Sequence, residues 1–169
     1  LYGLQQSGTP ALPIQIVGNG CVLTGARPIE PSTWRMVSSD IWRITPRRKG
    51  WYQLVMNGEA VQEVPCAADA TSLPELPESS WCAFEGRIYF RPPAGEDAPN
   101  LEMSLADDQT GLSLVAAEYV VVRDLTIRHF RQDGVHLHDR CRGVLLVNVT
   151  CEANGRVGIV VGGTSSAQL

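Results

Sequence analysis

A chain of 169 residues can bury one sizeable core but has little room for two large independent ones. Its formal charge of −4 lacks the basic excess that a phosphate backbone demands, and Arg47-Arg48-Lys49 is a short basic run of the solvated-loop kind, so nucleic acid is not an expected partner. Apolar residues come in short Val-, Leu- and Ile-rich runs with plentiful glycine and proline. The chain therefore reads as all-β, and no run is long enough to suggest a membrane partner.

In chain order, Pro13-Ile14-Gln15-Ile16-Val17-Gly18 and Cys21-Val22-Leu23-Thr24-Gly25 predict two short strands joined by an Asn19-Gly20 turn. From Ala26 to Asn100 the rhythm changes. Tryptophans and prolines accumulate there, and two hairpins are predicted. One turns at Asn57-Gly58 after Gln53-Leu54-Val55-Met56, the other at Glu85-Gly86 between Trp81-Cys82-Ala83-Phe84 and Arg87-Ile88-Tyr89-Phe90. This segment reads as an antiparallel β insertion. It holds all four tryptophans, Trp34, Trp42, Trp51 and Trp81. Either they seal a small satellite core, or exposed indole faces form a platform on which sugars stack, with Trp51 and Trp81 as the substrate-binding candidates.

Cys66 and Cys82 flank a proline-rich loop and are the pair that an oxidising compartment would bridge, given suitable geometry. The remaining cysteines, Cys21, Cys141 and Cys151, complete an odd set without CxxC spacing, so neither a structural metal nor a cofactor is expected. Cys151 falls at an apolar repeat position and reads as a small buried thiol. The opening Leu1-Tyr2-Gly3 has no charged n-region, which decides nothing about a leader upstream.

The second half repeats. Asp133-Gly134-Val135-His136-Leu137 overlays Val157-Gly158-Ile159-Val160-Val161 at an offset of 24 residues, and Asp124-Leu125-Thr126-Ile127 overlays Asn148-Val149-Thr150-Cys151 at the same offset. Thr110-Gly111-Leu112-Ser113-Leu114 is a third copy of the glycine-then-strand element, 23 residues before Gly134. Each period holds short apolar segments separated by Gly, Asn, Asp or Arg, too short for helices. A chain that returns so often to one short strand must stack those strands in parallel, which is a β-solenoid.

Alternation then places Val135, Leu137, Val149, Ile159 and Val161 inside, with Val135 and Ile159 adjacent, and puts Ser113, His136 and Val160 in an outward column. Arg128 and Glu152, one period apart and outward, are expected to form an exposed ion pair worth less than about 1 kcal/mol. Arg128 is also a substrate-binding candidate.

The densest polar cluster is Asp133, His136, His138 and Asp139, the candidate catalytic set. Two outward imidazoles with flanking carboxylates on a solenoid face can bind a metal, hold a uronate or shuttle a proton. The alternative is turn chemistry, with Asp133 before a bend, Asp139 closing the strand and the histidines merely polar and outward. No two of Asp133, Asp139 and Glu152 are brought together by the sequence as a glycosidase would need.

The blocks QLVMNGEAV, LPELPESSW, EGRIYFRPPAGED and LEMSL, followed by VVVRDLTIRHF and DGVHLH, resemble the N-terminal part of secreted bacterial β-helix proteins of the pectin-lyase-like superfamily, and are most similar to the β-helix glycoside hydrolases. The resemblance implies a right-handed parallel β-helix with an early coil at 1–25, an antiparallel insertion at 26–100 and further coils at 101–169, cut through the repeat at both ends. It further implies a polysaccharide or oligosaccharide partner, secretion or a periplasmic location, and glycoside hydrolase or polysaccharide lyase activity with the main catalytic carboxylates on later coils. A non-catalytic β-helix that binds glycans or serves adhesion is the alternative, and the oligomeric state stays open.

Overall fold

The structure, a computed structural model, describes residues 2–4 and 6–169, so Leu1 and Gln5 of the expected first coil lie outside the described residues. The chain divides into two compact units, Leu1–Gly25 with Asp107–Leu169, and Ala26–Ala106. It is all-β, and its only helical pieces among the described residues are the short 3-10 turns Pro31–Thr33 and Ala98–Asn100.

The first unit carries two parallel sheets, and the chain visits them alternately. One sheet runs in the order Tyr2–Leu4, Thr110–Val115, Asp133–His138, Val157–Val161. The other runs Ala167–Gln168, Val144–Glu152, Val120–Arg128, Ile14–Thr24. The pairing follows the sequence repeat: Leu112 opposes Val135, which opposes Ile159, and Ser113, His136 and Val160 lie across from one another. Leu125, Thr126 and Ile127 oppose Val149, Thr150 and Cys151 in the second sheet. This arrangement is compatible with a β-helix-like fold.

Alternation fixes the core. Leu112, Leu114, Val120, Val122, Ile127, Val135, Leu137 and Val144 are buried together, each such aliphatic contributing about 1.5–3 kcal/mol relative to exposure. Burial of all five repeat positions was too broad an expectation, however: Val149 and Ile159 are only half-buried, and Val161 is 45% exposed. Ile159 and Val161 lie on the outermost strand of their sheet, where one neighbouring strand covers them instead of two. Ser113, expected outward, is also largely buried.

The Asn19-Gly20 turn is corrected too. Ile14–Thr24 is one strand, and both halves pair in parallel with Val120–Arg128, Val17 opposing Arg123 and Cys21 opposing Leu125. Residues 18–20 thus face the single residue Asp124, a bulge with Asn19 and Gly20 at φ 52° and 78°. Left-handed residues reverse a chain only if their flanks pair with each other. Here each flank has its own long-range partner, so the strand kinks and continues. Asp124 and Asn148 share that kink at φ 56° and 51°, and Asn148 Nδ2 donates to Asp124 Oδ1 at 2.9 Å.

The stacking leaves no room beside the glycine column. A Cβ on Gly134 would lie 2.6 Å from the Gly158 carbonyl oxygen and 2.9 Å from Cys151 Sγ. Since the carbonyl belongs to a paired strand, Gly134→Ala is expected to cost about 2–3 kcal/mol by overpacking, read as a lower urea midpoint at unchanged slope. A midpoint within error of the parent would mean that the strands are not stacked this closely.

The second unit contains a five-stranded sheet, Arg35–Met36, Trp42–Ile44, Arg87–Arg91, Ser80–Phe84, Gln62–Glu63, and a four-stranded sheet, Ala26–Pro28, Met103–Ala106, Leu54–Met56, Glu59–Ala60. Both predicted hairpins are present. Val55 opposes Ala60 around Asn57-Gly58, at φ 52° and 80°, and Ala83 opposes Ile88 around Glu85-Gly86, at φ 48° and 71°, the paired positive values of a type I′ turn. The sheets are antiparallel except where Gln62–Glu63 runs parallel to Ser80–Phe84. Met103–Ala106, grouped with the later coils in the sequence, pairs antiparallel with Ala26–Pro28 and Leu54–Met56. Trp34, Ile44, Leu54, Trp81, Ile88, Phe90 and Met103 form this unit's own core.

Candidate functional site

Asp133 opens the strand Asp133–His138 and is fully buried. A carboxylate with no access to water needs partners, and register supplies them. Asp133 opposes Val157 on the neighbouring strand, so the preceding residue, Arg156, reaches it: Nε donates to Oδ1 at 2.9 Å and Nη2 to Oδ2 at 2.5 Å. This is a forked guanidinium on a carboxylate, the strongest geometry for such a pair. His136, three residues along, brings Nδ1 to 3.2 Å from Oδ2. The His138 ring stacks on the His136 ring with centroids 3.5 Å apart and planes 27° from parallel.

Burial, foremost, pushes His136 below the usual imidazole value, and His138 and Arg156 act in the same direction against the opposing pull of Asp133. Near neutral pH the ring is therefore uncharged. Its contact with Asp133 is a hydrogen bond from Nδ1–H to a carboxylate oxygen, which leaves Nε2 as an acceptor. The cluster holds one imidazole in a fixed tautomer and orientation, able to accept a proton or a hydroxyl hydrogen bond.

Of the candidate catalytic residues, the structure brings together Asp133, His136 and His138. Asp139 is exposed in the turn that closes the strand, at φ 51°, as turn chemistry expects. Arg128 lies on the other parallel sheet, paired with Glu152 at 3.6 Å. The expected tryptophan platform divides. Trp51 is 50% exposed, whereas Trp81 is 1% exposed with its indole nitrogen donating to the Val61 carbonyl at 3.0 Å. That corrects the substrate-binding role expected of Trp81, because no sugar can reach a ring packed on both faces. Trp34 is likewise buried, its ring 5.9 Å from that of Phe90.

Arg156 is the member of this cluster that the sequence reading missed. Its signal was the repeat itself: it stands one residue before the position that overlays Asp133. Cys66 and Cys82 are free thiols here, neighbours in a small apolar cluster. Burial, then the adjacent Cys66, pushes the Cys82 thiol up to about 12, so it is inert as a nucleophile. Among the described residues, no group of three or more His, Cys, Asp or Glu is placed to hold a metal ion. An open groove of about 440 Å³ on the first unit, lined by Pro10, Pro13, Tyr119, Val121, Leu145 and Gln168 among others, includes none of the candidate residues.

No family model matches the chain, and no curated protein matches it. Among solved structures, that of XylC in complex with xylose matches with a TM-score of 0.57 at 14% identity, covering 97% of this chain. The chain spans 34% of the length of that XylC chain. At this identity the likeness is one of fold.

Proposed function

We propose that Leu1–Gly25 with Asp107–Leu169 forms coils of a right-handed parallel β-helix of the pectin-lyase-like kind, that residues 26–106 are an insertion between coils, and that the protein is carbohydrate-active. The observation that carries this reading is the parallel stack with its 23- and 24-residue returns, together with its likeness to a structure that holds xylose. The substrate is polysaccharide or oligosaccharide. Secretion or a periplasmic location accompanies that reading, since such substrates lie outside the cytoplasm.

The proposed reaction is polysaccharide or glycoside cleavage with the main catalytic carboxylates outside these 169 residues. Hydrolysis of a glycosidic bond needs two carboxyl groups roughly 5–5.5 Å or 6.5–9.5 Å apart across the bond. Both oxygens of Asp133 are engaged, Asp139 is in a turn, and Glu152 pairs with Arg128 on the other sheet. The same saturation of Asp133 supports the second reading, a non-catalytic β-helix that binds glycans or serves adhesion.

The test is to incubate the chain with a panel of neutral and acidic polysaccharides, measuring binding by NMR titration and cleavage by released reducing ends and unsaturated products. Binding without cleavage is the expected result. Turnover by these residues alone would overturn the assignment of catalysis elsewhere, and absence of binding to every glycan would overturn the carbohydrate reading.

A further inference from the structure

From the geometry of Asp133, His136 and Arg156 we infer that this site selects a neutral, hydroxyl-bearing sugar over a uronate, with His136 Nε2 accepting a hydrogen bond from a sugar hydroxyl in the space beside Gly162. The inference rests on the carbohydrate reading above and specifies the substrate class of that site.

Three observations carry it. The guanidinium that would otherwise attract a uronate carboxylate is forked onto the buried Asp133. The Nδ1 proton of His136 is committed to Asp133, so the outward nitrogen presents a lone pair, which attracts a hydroxyl and repels a carboxylate. Finally, Nε2 faces a position with no side chain: a Cβ built at Gly162 would lie 3.6 Å from it and 3.5 Å from the Leu137 carbonyl oxygen, both ordinary contacts.

The acceptor is also preorganised. Its ring is held at one edge by the carboxylate and over one face by His138, so little freedom is lost on binding. The titratable and charged groups against His136 are Asp133 and His138 on its own strand and Arg156 before the next. The strand on its other side, Thr110–Val115, contributes no titratable group.

Gly162 offers a direct test because a side chain there covers Nε2 without displacing backbone. The chain and its Gly162→Leu and His136→Phe variants are titrated by NMR with a xylo-oligosaccharide as the neutral probe and an oligogalacturonate as the acidic one. Histidine ¹⁵N shifts report the tautomer, and circular dichroism checks the fold. The expected result is binding of the neutral probe in preference to the acidic one, a loss of about tenfold or more in both variants, and a neutral Nδ1–H tautomer at His136.

Preference for the oligogalacturonate, unchanged affinity in folded Gly162→Leu, or an Nε2–H tautomer would each overturn the inference while leaving the carbohydrate reading standing. Failure of the chain to bind either probe or any other glycan would overturn both.

Discussion

Replacing Arg156 with alanine is expected to destabilise the parallel unit by about 3–5 kcal/mol near neutral pH, because it strands a charge where water cannot reach it. Asp133 is 0% exposed, and its other partner, His136, is held uncharged and offers a single hydrogen bond. Arg156 is itself 38% exposed, so part of the pair is already hydrated and the lower end of that range applies.

The stability of the parent chain depends on pH through His136. Its folded value is lowered, so the unfolded chain binds the proton first, and stability falls as pH drops below the ordinary imidazole value of about 6.5. All four tryptophans lie in Ala26–Ala106, so the parallel unit must be followed by far-UV circular dichroism rather than indole fluorescence. A cost below about 0.5 kcal/mol, the range of ordinary surface substitutions, would show that water reaches Asp133 in solution.

The repeat was legible because parallel stacking forces equal returns: whatever opposes Val135 must lie one period away, and Leu112 and Ile159 do. The hairpins at Asn57-Gly58 and Glu85-Gly86 were legible for a local reason, since few residues other than Asn, Asp and Gly enter the left-handed region cheaply and two in succession reverse the chain. Asn19-Gly20 has the same local chemistry and a different outcome, because its flanks find partners on Val120–Arg128, a hundred residues on.

In the candidate site, the grouping of Asp133 with His136 and His138 could be read from adjacency and alternation. Arg156 could not, because its reach depends on the register of the next strand and on a side chain just before that strand begins. Composition likewise failed to rank Trp51 and Trp81. Both occur in an aromatic-rich segment, but only Trp81 stands on a strand with neighbours on both sides, Arg87–Arg91 and Gln62–Glu63.

That difference gives the second large expected effect. Trp81→Ala should cost the Ala26–Ala106 unit about 3–5 kcal/mol. The indole packs in one cluster with Leu54, Ile88 and Phe90, so truncation removes a large apolar area from the core and leaves a cavity that paired strands cannot close. It also removes the donor to the Val61 carbonyl, and an unsatisfied buried carbonyl adds to the loss. Trp81→Phe should fall between parent and alanine, refilling part of the space without restoring the hydrogen bond. Trp51→Ala, at a half-exposed position, should stay within about 0.5 kcal/mol of the parent. Urea denaturation followed by the fluorescence of the remaining tryptophans measures all three. Equal midpoints for Trp81→Ala and Trp51→Ala would contradict the core assignment. The ligand readout runs the other way: an indole fluorescence change on adding sugar should vanish in Trp51→Ala and persist in folded Trp81→Phe, because only a ring with an accessible face can stack on a sugar.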